Sequence, residues 1–183
     1  AVSLIRHDMR HFLTNISTHI DNGEYEKAKE YINEIIKASD KTAMHKYCEN
    51  PTVNMILSSY ESTVKNNGID FRYTLAIPKE LPVSDIDLTS ILSNAVENAC
   101  HAVLPLEKEQ RYMSLDMRMR DGKLLICLKN TFAEKPEIID GVPRSREPGH
   151  GFGTQSILYV TEKLHGNCQF AVEEDLFIIR IIL

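Results

Sequence analysis

The chain has 183 residues, 43% hydrophobic and 26% charged, a balance that excludes collagen-like, mucin-like and disordered classes. Twenty-one Lys and Arg against 26 Asp and Glu give a net charge of −5, which argues against binding a nucleic acid by bulk charge. No apolar run reaches the roughly 18 residues that span a bilayer, so no membrane contact is expected within this stretch.

The length suits one domain or two small ones. The first residue is Ala1, not methionine, and the opening pattern is helical rather than a charged-then-apolar leader. The chain is therefore expected to be cut from a longer protein, with any membrane segment lying outside it. Cys48, Cys100, Cys127 and Cys168 are too scattered for a metal or redox pair and are expected to be buried, reduced thiols.

Residues 4–22 carry Ile5, Met9, Phe12, Leu13, Ile16 and Ile20 at helical spacing, and Asn22-Gly23 stops the pattern. A second helix carries Ala28, Tyr31, Ile32, Ile35 and Ile36. The pair reads as an antiparallel hairpin with too little surface to cover both stripes, so it is expected to pair with a second copy in a four-helix bundle or to dock elsewhere on the chain. A composition shift at Glu49-Asn50-Pro51 separates this hairpin (1–48) from the main domain (49–183). Helix 52–66 ends at Asn66-Asn67-Gly68, and Ile69, Phe71, Tyr73, Leu75 and Ile77 then alternate as a half-buried strand should. Ser84 with Asp87 resembles a capping box ahead of a long helix carrying Leu88, Ile91, Leu92, Ala95, Val96, Ala99 and Val103. Strands over 113–119 and 124–128 flank the tight-turn signal Asp121-Gly122. Residues 131–150 are polar, with three prolines and no periodicity, and are expected to form a functional or mobile loop. Helix 154–165, the turn Gly166-Asn167 and two strands around Glu174-Asp175 complete the chain. The order of elements predicts an α+β arrangement with a mostly antiparallel sheet.

Three features could carry chemistry. Gly149, Gly151 and Gly153 alternate between the long loop and a helix start, where bare backbone and free N–H groups can cradle phosphate. They form neither a P-loop nor a dinucleotide fingerprint, and alone could mark only a tight turn. Asn94, Asn98 and His101 share one flank of the long helix at i, i+4 and i+7. Asparagines are poor helix formers; they are either solvated or offer amide oxygens to a cation such as magnesium. Arg6-His7-Asp8 opens the first helix, with His7 about 170° from the apolar stripe and so on the exposed face. His7, His11 and Asp8 could also share a zinc ion, but a further ligand at metal spacing is not evident.

Together these features resemble the kinase core of sensor histidine kinases with a Bergerat-fold ATP domain, of the GHKL type. They are most similar to the subgroup of peptide-sensing quorum kinases, whose helix begins with Arg-His-Asp. The resemblance covers nearly the whole chain. It implies a dimerising helical hairpin followed by an α/β sandwich with a mixed, mostly antiparallel sheet. By position, His7 resembles the phosphorylated histidine, and Asp8 the acid that orients its imidazole and takes its proton. His11 matches a polar position involved in dephosphorylating the partner. Asn98 matches the magnesium-binding asparagine, and Asn94 the polar residue one turn earlier. Gly149, Gly151 and Gly153 match the glycine box, and 131–150 the ATP lid, in which Arg144 and Arg146 could reach phosphate oxygens. The implied cofactors are ATP and Mg²⁺. The implied partners are a second copy and the receiver domain of a response regulator, and the implied setting is the cytoplasmic portion of a membrane-bound sensor. Two departures stand out. The family's adenine box, Asp-x-Gly-x-Gly, is replaced by a strand end with Asn130, whose amide oxygen can accept from the adenine amino group but lacks charge. His101 stands where many relatives carry a basic residue. The alternatives are a catalytically weak phosphotransfer or scaffold module, and an ATPase that does not label itself.

Overall fold

A computed structural model describes residues 13–39, 46–144 and 152–183. The chain divides into two compact units, Ala1–Thr42 and Ala43–Leu183.

In the first unit, helix α1 (residues 13–21) and helix α2 (Tyr25–Ser39) flank Asn22-Gly23. Gly23 has φ +71°, and the N–H groups of Gly23 and Glu24 bond Ile20 O and His19 O at 2.9 and 2.8 Å. This is a Schellman cap, which needs a left-handed residue at the helix end. His19 Nδ1 lies 2.8 Å from Glu24 Oε2, and Asn15 Nδ2 donates to Tyr31 Oη at 3.1 Å. Ala28 is buried, whereas Leu13 and Ile20 are exposed (62% and 47%), as is Ile32. Ile5, Met9 and Phe12 lie outside the described residues.

In the second unit, Tyr47 and Cys48 precede the first helix. The backbone N–H groups of Tyr47 and Cys48 both donate to Asn54 Oδ1 at 2.9 Å, which ties them to helix α3 (Pro51–Asn66). Asn50 caps α3, its Oδ1 accepting from Val53 N at 2.9 Å, with Pro51 in the first turn where a missing N–H costs nothing. A five-stranded sheet follows: β1 (Asp70–Ala76), β2 (Tyr112–Arg120), β3 (Lys123–Thr131), β6 (Asn167–Glu173) and β7 (Leu176–Ile182), in the order β1-β2-β3-β7-β6. Only β1 and β2 pair in parallel. Helix α4 (Asp85–Val103) crosses between them, and with α3 and helix α5 (Phe152–Lys163) it covers one face of the sheet. Leu88, Ile91, Leu92, Val96 and Val103 from α4 are fully buried against Met113, Leu115, Met117, Leu124, Leu128, Ile179 and Ile181. Period-2 burial along β2 and β3 keeps these residues on the helix side.

Three details differ from the sequence reading. The stretch 131–150 is not wholly irregular: β4 (Glu137–Ile139) and β5 (Val142–Arg144) form a hairpin around Asp140-Gly141, both at positive φ. That dipeptide is the same turn signal as Asp121-Gly122. The left-handed stop after α5 is His165 (φ +54°), not Gly166. The N–H groups of His165 and Gly166 bond Glu162 O and Thr161 O, both at 2.9 Å. Gly166 is needed for space, since a Cβ there would sit 2.4 Å from Ile182 O. Finally, Cys100 is buried but Cys48, Cys127 and Cys168 are only half-buried; burial raises all four thiols, Cys100 and Cys168 to about 11.

Candidate nucleotide site between two helices

The site rests on how α4 is held against α5. Ser84 caps α4, its Oγ accepting from Asp87 N at 3.2 Å and donating to Asp87 Oδ2 at 2.8 Å. Asp87 Oδ1 accepts from Lys163 Nζ at 2.7 Å, at the end of α5. These two bonds hold the Asp87 carboxyl below its usual range, the lysine contributing most. Further along, the Ser90 and Ser156 hydroxyls lie 3.2 Å apart. Asp87, Ser90, Asn94 and Asn98 repeat at spacings of three and four, and Gly153, Ser156 and Lys163 at spacings of three and seven. That periodicity puts each set on one face of its helix. The sequence reading took Asn94 and Asn98 from this stripe and missed Asp87, Ser90, Ser156 and Lys163. The polar i, i+3/i+4 pattern was the available signal.

At the other end of this seam the two asparagines meet the glycine. A Cβ on Gly153 would come within 2.8 Å of Asn98 Nδ2, 2.9 Å of Asn98 Oδ1 and 3.2 Å of Asn94 Oδ1. A side chain there would force the Asn98 amide to move. Asn94 Nδ2 donates to Ser90 O at 2.6 Å, which fixes the amide and turns its oxygen toward Gly153. Among the described residues, no hydrogen-bond partner reaches the buried Asn98 Nδ2. An orphaned buried amide costs about 1–3 kcal/mol unless a ligand or water satisfies it. The orphaned N–H calls for an acceptor such as a phosphate oxygen, while the amide oxygens suit a hard cation and the glycine in the first turn of α5 lets a phosphate approach.

Of the other expected site residues, Asn130, His101 and Arg144 lie among the described residues. Asn130 is the last helix-facing residue of β3 and is buried. Its Nδ2 donates to Thr131 O at 2.8 Å, so the amide oxygen is the atom left to offer a ligand. His101 stands exposed in the last turn of α4. Arg144 ends β5, exposed and opposite Glu137; among the described residues no hydrogen bond or ion pair joins it to the asparagines. His7, Asp8, His11, Arg146, Gly149 and Gly151 lie outside the described residues. Among the described residues no cluster of three His, Cys, Asp or Glu could hold a metal, and no helix is long and apolar enough to cross a membrane.

The second unit is thus a two-layer sandwich in which an amide pair on α4 faces Gly153 in the first turn of α5. Residues 83–183 match the GHKL domain, and the chain belongs to that family. Among curated proteins no sequence matches. Among solved structures the fold is that of histidine kinase catalytic domains. The catalytic domain of histidine kinase ThkA superposes with a TM-score of 0.59 at 13% identity, over 72% of this chain and 90% of that one. Histidine kinase AdeS of Acinetobacter baumannii gives 0.58 at 11% identity, over 97% and 96%. The mycobacterial sensor histidine kinase MprB gives 0.55 at 17%, over 72% and 91%.

Proposed function

We propose that this chain is the kinase core of a two-component sensor: an ATP-dependent protein-histidine autokinase that phosphorylates His7 and passes the phosphoryl group to a response-regulator aspartate. The observation that carries the reading is the convergence of Asn94, Asn98 and Gly153, with the Asn98 amide nitrogen unpaired among the described residues. ATP would supply the γ-phosphoryl group, and Mg²⁺ would neutralise charge on its oxygens. Asn98 would hold the metal and Asn94 a phosphate-side ligand or water. Gly149, Gly151 and Gly153 would let the backbone approach the phosphates. Asn130, turned by Thr131 to present its oxygen, would accept from the adenine amino group. His101, Arg144 and Arg146 would face the phosphates. A ring nitrogen of His7 would receive the phosphoryl group, with Asp8 orienting the imidazole and taking its proton, and His11 would serve dephosphorylation. Transfer of this kind needs alignment and charge neutralisation more than covalent help from the protein.

A homodimer belongs to the same proposal. Leu13, Ile20 and Ile32 on the hairpin are apolar and exposed, which suits a bundle with a second copy. The setting proposed is the cytoplasmic portion of a membrane-bound sensor. A second reading, a phosphotransfer or scaffold module with weak ATP binding, is favoured by Asn130 in place of the family's carboxylate.

Incubation with γ-labelled ATP and magnesium tests the proposal. Acid-labile label on the wild type and none on His7→Ala is expected. Label persisting on His7→Ala refutes the site, and an unlabelled wild type that binds ATP favours the scaffold reading.

A further inference from the structure

The face of the sheet turned away from the helices carries a second feature that the nucleotide site does not use. A cleft of about 650 Å³ lies over β1, β2, β3 and β7. By strand alternation the side chains on this face include Arg72, Tyr112, Asp116, Arg118, Arg120, Leu125, Lys129 and Arg180. Four of the chain's nine arginines are therefore gathered on one surface of an acidic protein. Asp116 is the one carboxylate in the cleft lining; Asp70, Asp121 and Glu173 stand at its rim. With the rim included, five cations oppose four carboxylates, a surplus of one positive charge where the whole chain is −5.

The arrangement of donors matters more than that small surplus. Arg72 gives Nε and Nη2 to Asp70 at 3.1 and 2.7 Å, and stacks over the Tyr112 ring at 5.5 Å. Arg118 gives Nε and Nη2 to Asp116, and Arg180 gives Nη2 to Glu173 at 2.6 Å. A guanidinium carries five N–H donors, so each clamp leaves Nη1 free while occupying the carboxylate that holds it. Lys129 has no ion-pair partner among the described residues. The result is a patch of paired cationic edges with spare donors, spread over three levels of the sheet register, above a floor that includes Leu125 and Tyr112. Pre-ordered arginine edges suit carboxylates arriving one at a time. The Arg and Tyr content is that of protein interfaces. A nucleic acid or an anionic membrane would draw instead on many unpaired cations.

We infer that the outer sheet face is a docking surface for an acidic protein segment, presented through the Arg72, Arg118, Lys129 and Arg180 head groups. It is independent of the nucleotide site, which lies at the α4–α5 seam.

A poly-glutamate peptide titrated into the isotope-labelled full chain, at about 50 mM salt, tests this. Amide shifts confined to β1, β2, β3 and β7 are expected. Lys129→Glu, which breaks no ion pair, and Arg118→Gln should each weaken binding about fivefold or more. Lys27→Glu on the hairpin should leave it unchanged, and all three variants should melt as cooperatively as the wild type. The inference fails if the peptide does not bind at about 1 mM, if shifts fall elsewhere, or if Lys129→Glu binds as the wild type does. It also fails if duplex DNA or phosphatidylserine vesicles bind the same face more tightly than the peptide.

Discussion

Replacing Gly153 with alanine separates the two things this residue does. The backbone of Gly153 is not in the left-handed region, and helix α5 begins at Phe152, so alanine is locally acceptable. Removing the glycine should contribute about 0.4–1 kcal/mol through the unfolded chain. Against that, the new methyl would stand 2.8 Å from Asn98 Nδ2, roughly 0.6 Å inside the 3.4 Å where ordinary contact begins. The Asn98 amide must then rotate off its position, at about 0.5–1.5 kcal/mol. The two effects nearly cancel, so the thermal midpoint should move little. Magnesium-dependent nucleotide affinity should fall about tenfold or more, because the displaced amide is the proposed metal ligand; that is about 1.4 kcal/mol of binding. Titration calorimetry with a non-hydrolysable ATP analogue, beside calorimetric melting, reads both. Gly122→Ala, in an open turn with φ +76°, is the control and should cost stability without touching affinity. Unchanged nucleotide affinity in Gly153→Ala would refute the assignment of Asn98. A loss of stability above about 3 kcal/mol would show instead that the contact is a packing constraint.

Gly166→Ala should behave in the opposite way, since its Cβ would meet the backbone oxygen of Ile182 at 2.4 Å and Leu183 Cδ2 at 2.8 Å. A loss of about 1–3 kcal/mol in denaturant unfolding is expected, and a neutral result would contradict the close approach of α5 to β7. Arg111 donates to Leu104 O and Leu106 O at 2.9 Å and to Asn67 O at 2.6 Å, closing the ends of α4 and α3 together. Arg111→Ala should cost about 2–4 kcal/mol, and Arg111→Lys should recover only part of it, because one ammonium cannot reach three carbonyls. The Asp87 carboxyl is held low by Lys163 and Ser84, so its contribution is present above its ordinary value of 3.8 and is lost as pH falls below that. Asp87→Asn should therefore destabilise the protein at pH 7, and the gap to the wild type should shrink in thermal melts as pH is taken progressively below 3.8. A gap that persists unchanged in acid would rule out the ion pair as its source.

Much of the architecture was legible as local pattern. Alternation placed β2 and β3 because side chains on a strand change face at every residue, and Asp121-Gly122 marked their turn by its positive φ. The Ser84–Asp87 cap and the Asn22-Gly23 stop were equally local, each satisfying orphan backbone groups within a few residues. By itself the sequence also put Asn94 and Asn98 on one helical flank, since a helix repeats every 3.6 residues. What faces that flank is set by the docking of α5 about sixty positions later in the chain, which no periodicity reports. The Lys163–Asp87 and Ser90–Ser156 contacts, the space at Gly166 and the orientation of Asn130 by Thr131 all arise in the same way. Local spacing decides which side chains share a face, and packing between distant segments decides what those side chains meet.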